Sequence, residues 1–142
     1  MELTTKEFEN RIQRAKTADE LQQVLLSLPQ KTFSVQIDEF CKAYRTTFSQ
    51  VQVASGITKS MFYAIVNGTR KPKKVHIIKI GLAMGLSVEE INLLLKVSGL
   101  KELYAKSKED AIVMYGVNNN LTVMQIEELL TDAGATLQLI EK

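Results

Sequence analysis

The chain has 142 residues, 45% of them hydrophobic and 24% charged, enough for one compact domain with an appended helical piece and too few for several domains. A single cysteine, Cys41, excludes an internal disulfide and fits a reducing compartment. No apolar run reaches membrane-spanning length and the N-terminus lacks a signal-peptide pattern, so the expected location is cytoplasmic, with no membrane partner. Seven glycines and two prolines beside abundant Leu, Ile, Lys, Glu and Gln favour an all-α protein.

Taken in order, the chain opens with a capping box at Thr4 and Glu7, followed by Phe8, Ile12 and Ala15 at helical spacing. A second box, Thr17 to Glu20, starts a helix through Leu21, Val24, Leu25 and Leu28 that Pro29 ends. The Leu21, Leu25 and Leu28 stripe reads either as a face docked on its own domain or as a partner-binding surface. Residues 1–32 are thus expected to form an N-terminal helical extension. Ser34 is the expected cap of the next helix, with Ile37, Phe40, Cys41 and Tyr44 inward. Lys42 and Arg45 point away, toward a phosphate or water.

Residues 49–68 organise the rest. Ser49 with Gln52 reads as a capping box, Gly56 as a positive-φ stop, Thr58 as a second N-cap and Asn67-Gly68 as a helix end. The second of these two short helices puts Met61, Phe62, Ile65 and Val66 on one face and Lys59, Ser60, Tyr63 and Asn67 on the other. A short helix with a polar outer face suits a DNA major groove, although the same pattern serves a helical hairpin whose outer face meets only water. Charge favours a polyanion: between Phe40 and Val88 there is no acidic residue, and the basic ones give that block +8 against −6 for the remainder.

The motif Gly56-Ile57-Thr58-Lys59-Ser60-x-Phe62-x-x-Ile65-x-Asn67-Gly68-x-Arg70-x-Pro72 resembles the helix-turn-helix of the lambda-repressor-like superfamily (Cro and phage-repressor, XRE-type regulators). Two positions depart from it. Gln52 stands where the family has a small alanine, and Phe48 where it favours glutamine. The resemblance implies a five-helix DNA-binding domain over 33–99 in a bacterial or phage transcriptional regulator of double-stranded DNA. It also implies that Arg70, Lys71, Lys73 and Lys74, in the loop behind the reading helix, lie along the DNA backbone. Thr58, Lys59, Ser60, Tyr63 and Asn67 are then the residues expected in the groove. Ser49 and Gln50, with the amides of that helix start, are expected to hold a phosphate.

The helix after the loop runs to about Met84 with Val75, Ile78 and Leu82 on one side, and Ile77, Ile80 and Met84 widening the apolar surface. His76, the only histidine, has no spaced partners for a metal and reads as a surface residue. Ser87 and Glu90 box the next helix, which carries Ile91, Leu94 and Leu95 and finishes at Gly99. Residues 100–142 are expected to add a two-helix extension, with Ser107 opening one helix and Thr122 with Gln125 capping the other. The run Leu100-x-x-Leu103-Tyr104-Ala105-Lys106, then Asp110-Ala111-Ile112, is similar to tails of helix-turn-helix proteins from low-GC Gram-positive bacteria, which commonly have a basic residue where Glu109 stands. This tail reads as a cover for the core or as a dimerisation or partner-protein surface.

No glycine-rich phosphate loop, paired cysteines or convergent nucleophile and base occurs, and the acidic pairs Glu89-Glu90, Glu109-Asp110 and Glu127-Glu128 read as helix-start capping. The expectation is therefore a non-enzyme without cofactor or metal, acting on DNA as a possible homodimer. The alternative is a protein-interaction module on the same scaffold that uses its terminal helices.

Overall fold

Local capping chemistry decides where the helices begin. The computed structural model describes residues 4–27 and 32–140, with backbone only for 24–27, and the described residues are all-helical, without a strand. The chain divides into two units, Met1–Lys31 and Thr32–Lys142. In the first, α1 (Thr5–Arg14) starts at the Thr4–Glu7 capping box and pairs with α2 (Ala18–Ser27). Phe8 and Ala15 are half-buried, while Ile12 and Leu21 are exposed. The Leu25 side chain, Leu28 and Pro29 lie outside the described residues, so the proposed leucine stripe is seen only at Leu21.

The second unit holds α3 (Phe33–Ala43), α4 (Phe48–Ser55), α5 (Lys59–Val66), α6 (Lys74–Met84), α7 (Val88–Val97), α8 (Lys108–Asn118) and α9 (Val123–Asp132). Helix α3 packs against α5 and α7, and α4 against α5 and α6; α8 lies on α7 and pairs with α9. One core runs through them, from Ile37 of α3, Phe62 of α5 and Ile77 of α6 to Leu94 of α7, Ile126 of α9 and Leu139 beyond it. The 100–142 segment therefore belongs to the same unit as α3–α7, and its Val113, Val117 and Leu130 cover the core.

Two expected caps move. Helix α3 is capped by Thr32, not Ser34; an earlier start buries Phe33 and frees the Ser34 hydroxyl to donate to the Val66 carbonyl at the end of α5. Helix α4 is capped by Thr47 with Gln50 closing the box, not by Ser49 with Gln52, and this start sets Phe48 edge-on to Phe62 with ring centroids 6.3 Å apart. Tyr44, expected inside, is exposed. Its hydroxyl donates to Glu90, and that bond raises the phenol pKa. Partial burial works to raise the Glu90 carboxyl, but the bonds from Ser87 and Tyr44 outweigh it and hold it below its usual range. Cys41 is buried, and that burial, helped by the nearby Asp38 charge, pushes its thiol pKa up, which suits a packing role.

The α6–α7 and α8–α9 hairpins share one construction that the sequence reading did not single out. Each places a buried glycine of its first helix against a fully buried isoleucine of its second, Gly81 on Ile91 and Gly116 on Ile126. A positive-φ residue, Gly85 or Asn120, joins each helix pair, and Ser87 or Thr122 caps the second helix. A Cβ on Gly81 would sit 2.5 Å from Ile91 Cγ1 and one on Gly116 2.5 Å from Ile126 Cγ1, closer than carbon atoms approach. Gly81→Ala and Gly116→Ala are each expected to destabilise the protein by up to about 2 kcal/mol in denaturant unfolding, the balance of an overpacking cost of about 1–3 kcal/mol and a helix-propensity gain of about 1 kcal/mol.

Candidate nucleic-acid interface

The candidate surface is set by the turn between α4 and α5. Gly56 takes φ +73°, the left-handed conformation open to a residue without a Cβ, and ends α4. The Ser55 hydroxyl, buried, donates to the Gln52 carbonyl at 2.9 Å and accepts the Ile57 amide at 3.2 Å. The Gln52 side chain, at a position where the resemblance calls for alanine, donates from Nε2 to the Ile57 carbonyl at 2.7 Å. Its polar end thus closes the turn instead of separating the helices. Buried Ile57 completes the joint, and Thr58 then caps α5 by accepting the Met61 amide.

Phe62, Ile65 and Val66 hold the inner face of α5 in the core. Thr58, Lys59, Ser60 and Asn67 are exposed on the other side, as the sequence spacing predicts. Tyr63 is only half-buried on that side, its ring edge-on to Phe62 at 5.5 Å, so it borders the polar surface and does not project from it. At the start of α4, Ser49 and Gln50 are exposed. The Gln50 Oε1 is already used, accepting the Thr47 amide at 3.2 Å and the Thr46 hydroxyl at 3.0 Å. The Gln50 amide is also used, donating to the Thr47 hydroxyl at 3.2 Å, so what that helix end can offer an anion is the Phe48 and Ser49 amides and the Ser49 hydroxyl.

The loop after α5 is tied down at both ends. Gly68 turns the chain at φ +80°, the Arg70 amide donates to Ala64 at 3.1 Å, and Pro72 is buried. Arg70, Lys71 and Lys73 stay exposed, and among the described residues none of them, nor Lys59, forms an ion pair. Lys74 departs from the expected phosphate-binding set. It lies in the first turn of α6, half-buried, and its ammonium is paired with the carboxylate of Asp110 in α8. Asp110 is 4% exposed and also accepts the Tyr104 amide at 2.8 Å, so Lys74 neutralises a buried charge. Lys42 and Arg45 are exposed, with Lys42 3.1 Å from Asp38. His76 is half-buried and accepts the Lys73 amide through Nδ1 at 3.1 Å, which helps close the first turn of α6.

Beyond these, the acidic pairs do more than cap helices. Glu109 accepts the Thr136 hydroxyl at 2.6 Å and the Thr136 and Leu137 amides at 2.9 Å, bonds that lower its pKa, the hydroxyl foremost. Buried Glu127 accepts the Leu139 and Ile140 amides at 2.7 and 2.8 Å. Two carboxylates therefore fasten the segment after α9. Among the described residues no group of His, Cys, Asp or Glu is placed to hold a metal, and no helix is long and apolar enough to cross a membrane.

Compared with protein-family profiles, curated proteins and solved structures, the chain matches none.

The two kinds of lysine at this loop separate by stability. Lys74→Ala is expected to cost about 1–3 kcal/mol in thermal or chemical unfolding, because it leaves the buried Asp110 carboxylate short of its cation. Lys73→Ala, at an exposed position, is expected to stay within about 0.5 kcal/mol of the parent. Equal effects would remove the distinction.

Proposed function

We propose that this chain is a sequence-specific DNA-binding transcriptional regulator of the lambda-repressor-like, XRE-type helix-turn-helix class, with α3–α7 as its five-helix core. In this reading α5 enters the major groove, where Thr58, Lys59, Ser60 and Asn67 meet base edges and Tyr63 borders them. Ser49 and the Phe48 and Ser49 amides at the start of α4 take one phosphate, and Arg70, Lys71 and Lys73 take others. Lys74 is left out of that set because Asp110 holds it.

The observation that carries the reading is the pairing of exposed polar side chains on α5 with an anchored loop of exposed cations behind it, inside a stretch free of acidic residues. That combination attracts a polyanion along one face and supplies hydrogen-bonding groups at the right depth for a groove. Two reading heads would suit a palindromic site, so a homodimer on DNA belongs to the same proposal.

A second reading has its own observation. On α8 and α9 Tyr115 is 55%, Met124 61% and Leu129 36% exposed. These apolar side chains would serve a protein-interaction module that keeps the helix-turn-helix scaffold and binds a partner protein through its terminal helices.

Selection of bound duplexes from a random pool, followed by affinity measurements at two salt concentrations, separates the two. The regulator reading expects an enriched half-site and affinity that falls steeply with salt. Lys59→Ala is expected to relax base preference at one position, at a cost of about 1–3 kcal/mol on the best site. Lys73→Ala is expected to weaken all sequences alike and to reduce the salt slope by about 1. No enrichment and no binding at low salt would favour the interaction module.

A further inference from the structure

The turn at Gly56 has a second exposed side. Between it, α6 and the segment after α9 lies a cleft of about 640 Å³. Small-molecule sites run to roughly 300–1,000 Å³ and combine apolar walls with a few placed polar groups. The walls here include Ile57, Met61, Val123 and Ile140, and the cation in the lining is Lys79 of α6. Lys79 is half-buried and has no hydrogen bond or ion pair among the described residues. Among the described residues no acidic one lines the cleft.

We propose that this cleft binds a small amphipathic monoanion, a carboxylate carried on an aliphatic chain. The carboxylate would pair with the Lys79 ammonium, which partial burial makes a stronger partner than a fully solvated lysine. The chain would lie against Met61, Val123 and Ile140, where its burial is favourable at about 25 cal/mol per Å² of apolar surface. A cationic ligand finds no carboxylate among the described lining residues, and a polyanion finds one lysine there beside Ser55, Thr58 and His76. The Ile140 wall is held in place, since buried Glu127 grips the backbone amides on both sides of the Leu139–Ile140 peptide step.

Thr58, the N-cap of α5, lines the same cleft. A bound carboxylate would therefore touch the start of α5 and the C-terminal segment together. The ligand site stands on its own. Only an effect on DNA affinity rests on the regulator reading, and it is measured separately.

The test is titration of the isotope-labelled full chain with sodium octanoate, followed by backbone amide resonances in the absence of DNA. Saturable shifts are expected at Met61, Lys79, Val123 and Ile140, with octanamide, the neutral isostere, binding about tenfold more weakly or worse. Lys79→Gln, at a half-buried position away from the core, is expected to lose a similar factor, and Lys79→Arg to recover most of it. The spectrum of each variant before titration shows that it is folded. Absence of saturable shifts with octanoate, equal binding of octanamide, or undiminished binding by a folded Lys79→Gln would each overturn the proposal.

Discussion

The joint between α4 and α5 is the constraint on which the rest depends. A glycine in the left-handed conformation reverses the chain in one residue, and three side chains then fix the angle. Ile57 plugs the joint into the core, Ser55 bridges the backbone on either side of Gly56, and Gln52 reaches across it to the Ile57 carbonyl. Because each of these groups is satisfied inside the turn, α5 begins at a set place and in a set direction. Its polar side can then be exposed while Phe62 and Ile65 remain fully in the core. A loosely joined helix of eight residues would not hold such a face on its own.

Around that joint, charge is sorted by burial. Cations with no ion-pair partner among the described residues collect on the loop at 70–73, where Pro72 and the Arg70 amide anchor the backbone and leave the side chains exposed. The next cation, Lys74, is turned inward to Asp110, and this pair links the start of α6 to α8. In the C-terminal part, Glu109 accepts the Thr136 and Leu137 amides and Glu127 the Leu139 and Ile140 amides, each through one carboxylate oxygen. The C-terminal segment is thus fastened by carboxylates to α8 and α9 and reaches the cleft beside the turn through Ile140. The acid-free stretch thus keeps Arg70, Lys71 and Lys73 exposed, while Glu109, Asp110 and Glu127 are engaged within the fold.

Much of this was legible in the sequence because it is local. The caps at Thr4, Thr58, Ser87 and Thr122, the stop at Gly56 and the inner face of α5 all follow from patterns within one or two turns of helix. Where two local patterns competed, tertiary packing chose. Thr47-x-x-Gln50 and Ser49-x-x-Gln52 are equivalent as boxes, and the first wins by setting Phe48 on Phe62 and releasing Gln52 to close the turn. Thr32 prevails over Ser34 for a similar reason, the burial of Phe33. The candidate interface was legible to the same extent, with Thr58, Lys59, Ser60 and Asn67 exposed where helical spacing puts them. What could not be read was long-range: Lys74 looks no different from Lys73 until Asp110 folds beside it, and Glu127 looks like a cap until Leu139 and Ile140 come back to it.

We propose that the polar side of α5 and the loop behind it form the surface that meets DNA. The most direct measurement is the map of backbone amide shifts when the labelled chain is titrated with a selected duplex at low salt. The account predicts that the largest shifts fall at residues 47–50 and 58–73 and fade as salt is raised. Shifts confined to α8 and α9, or a spectrum that no duplex perturbs, would contradict it.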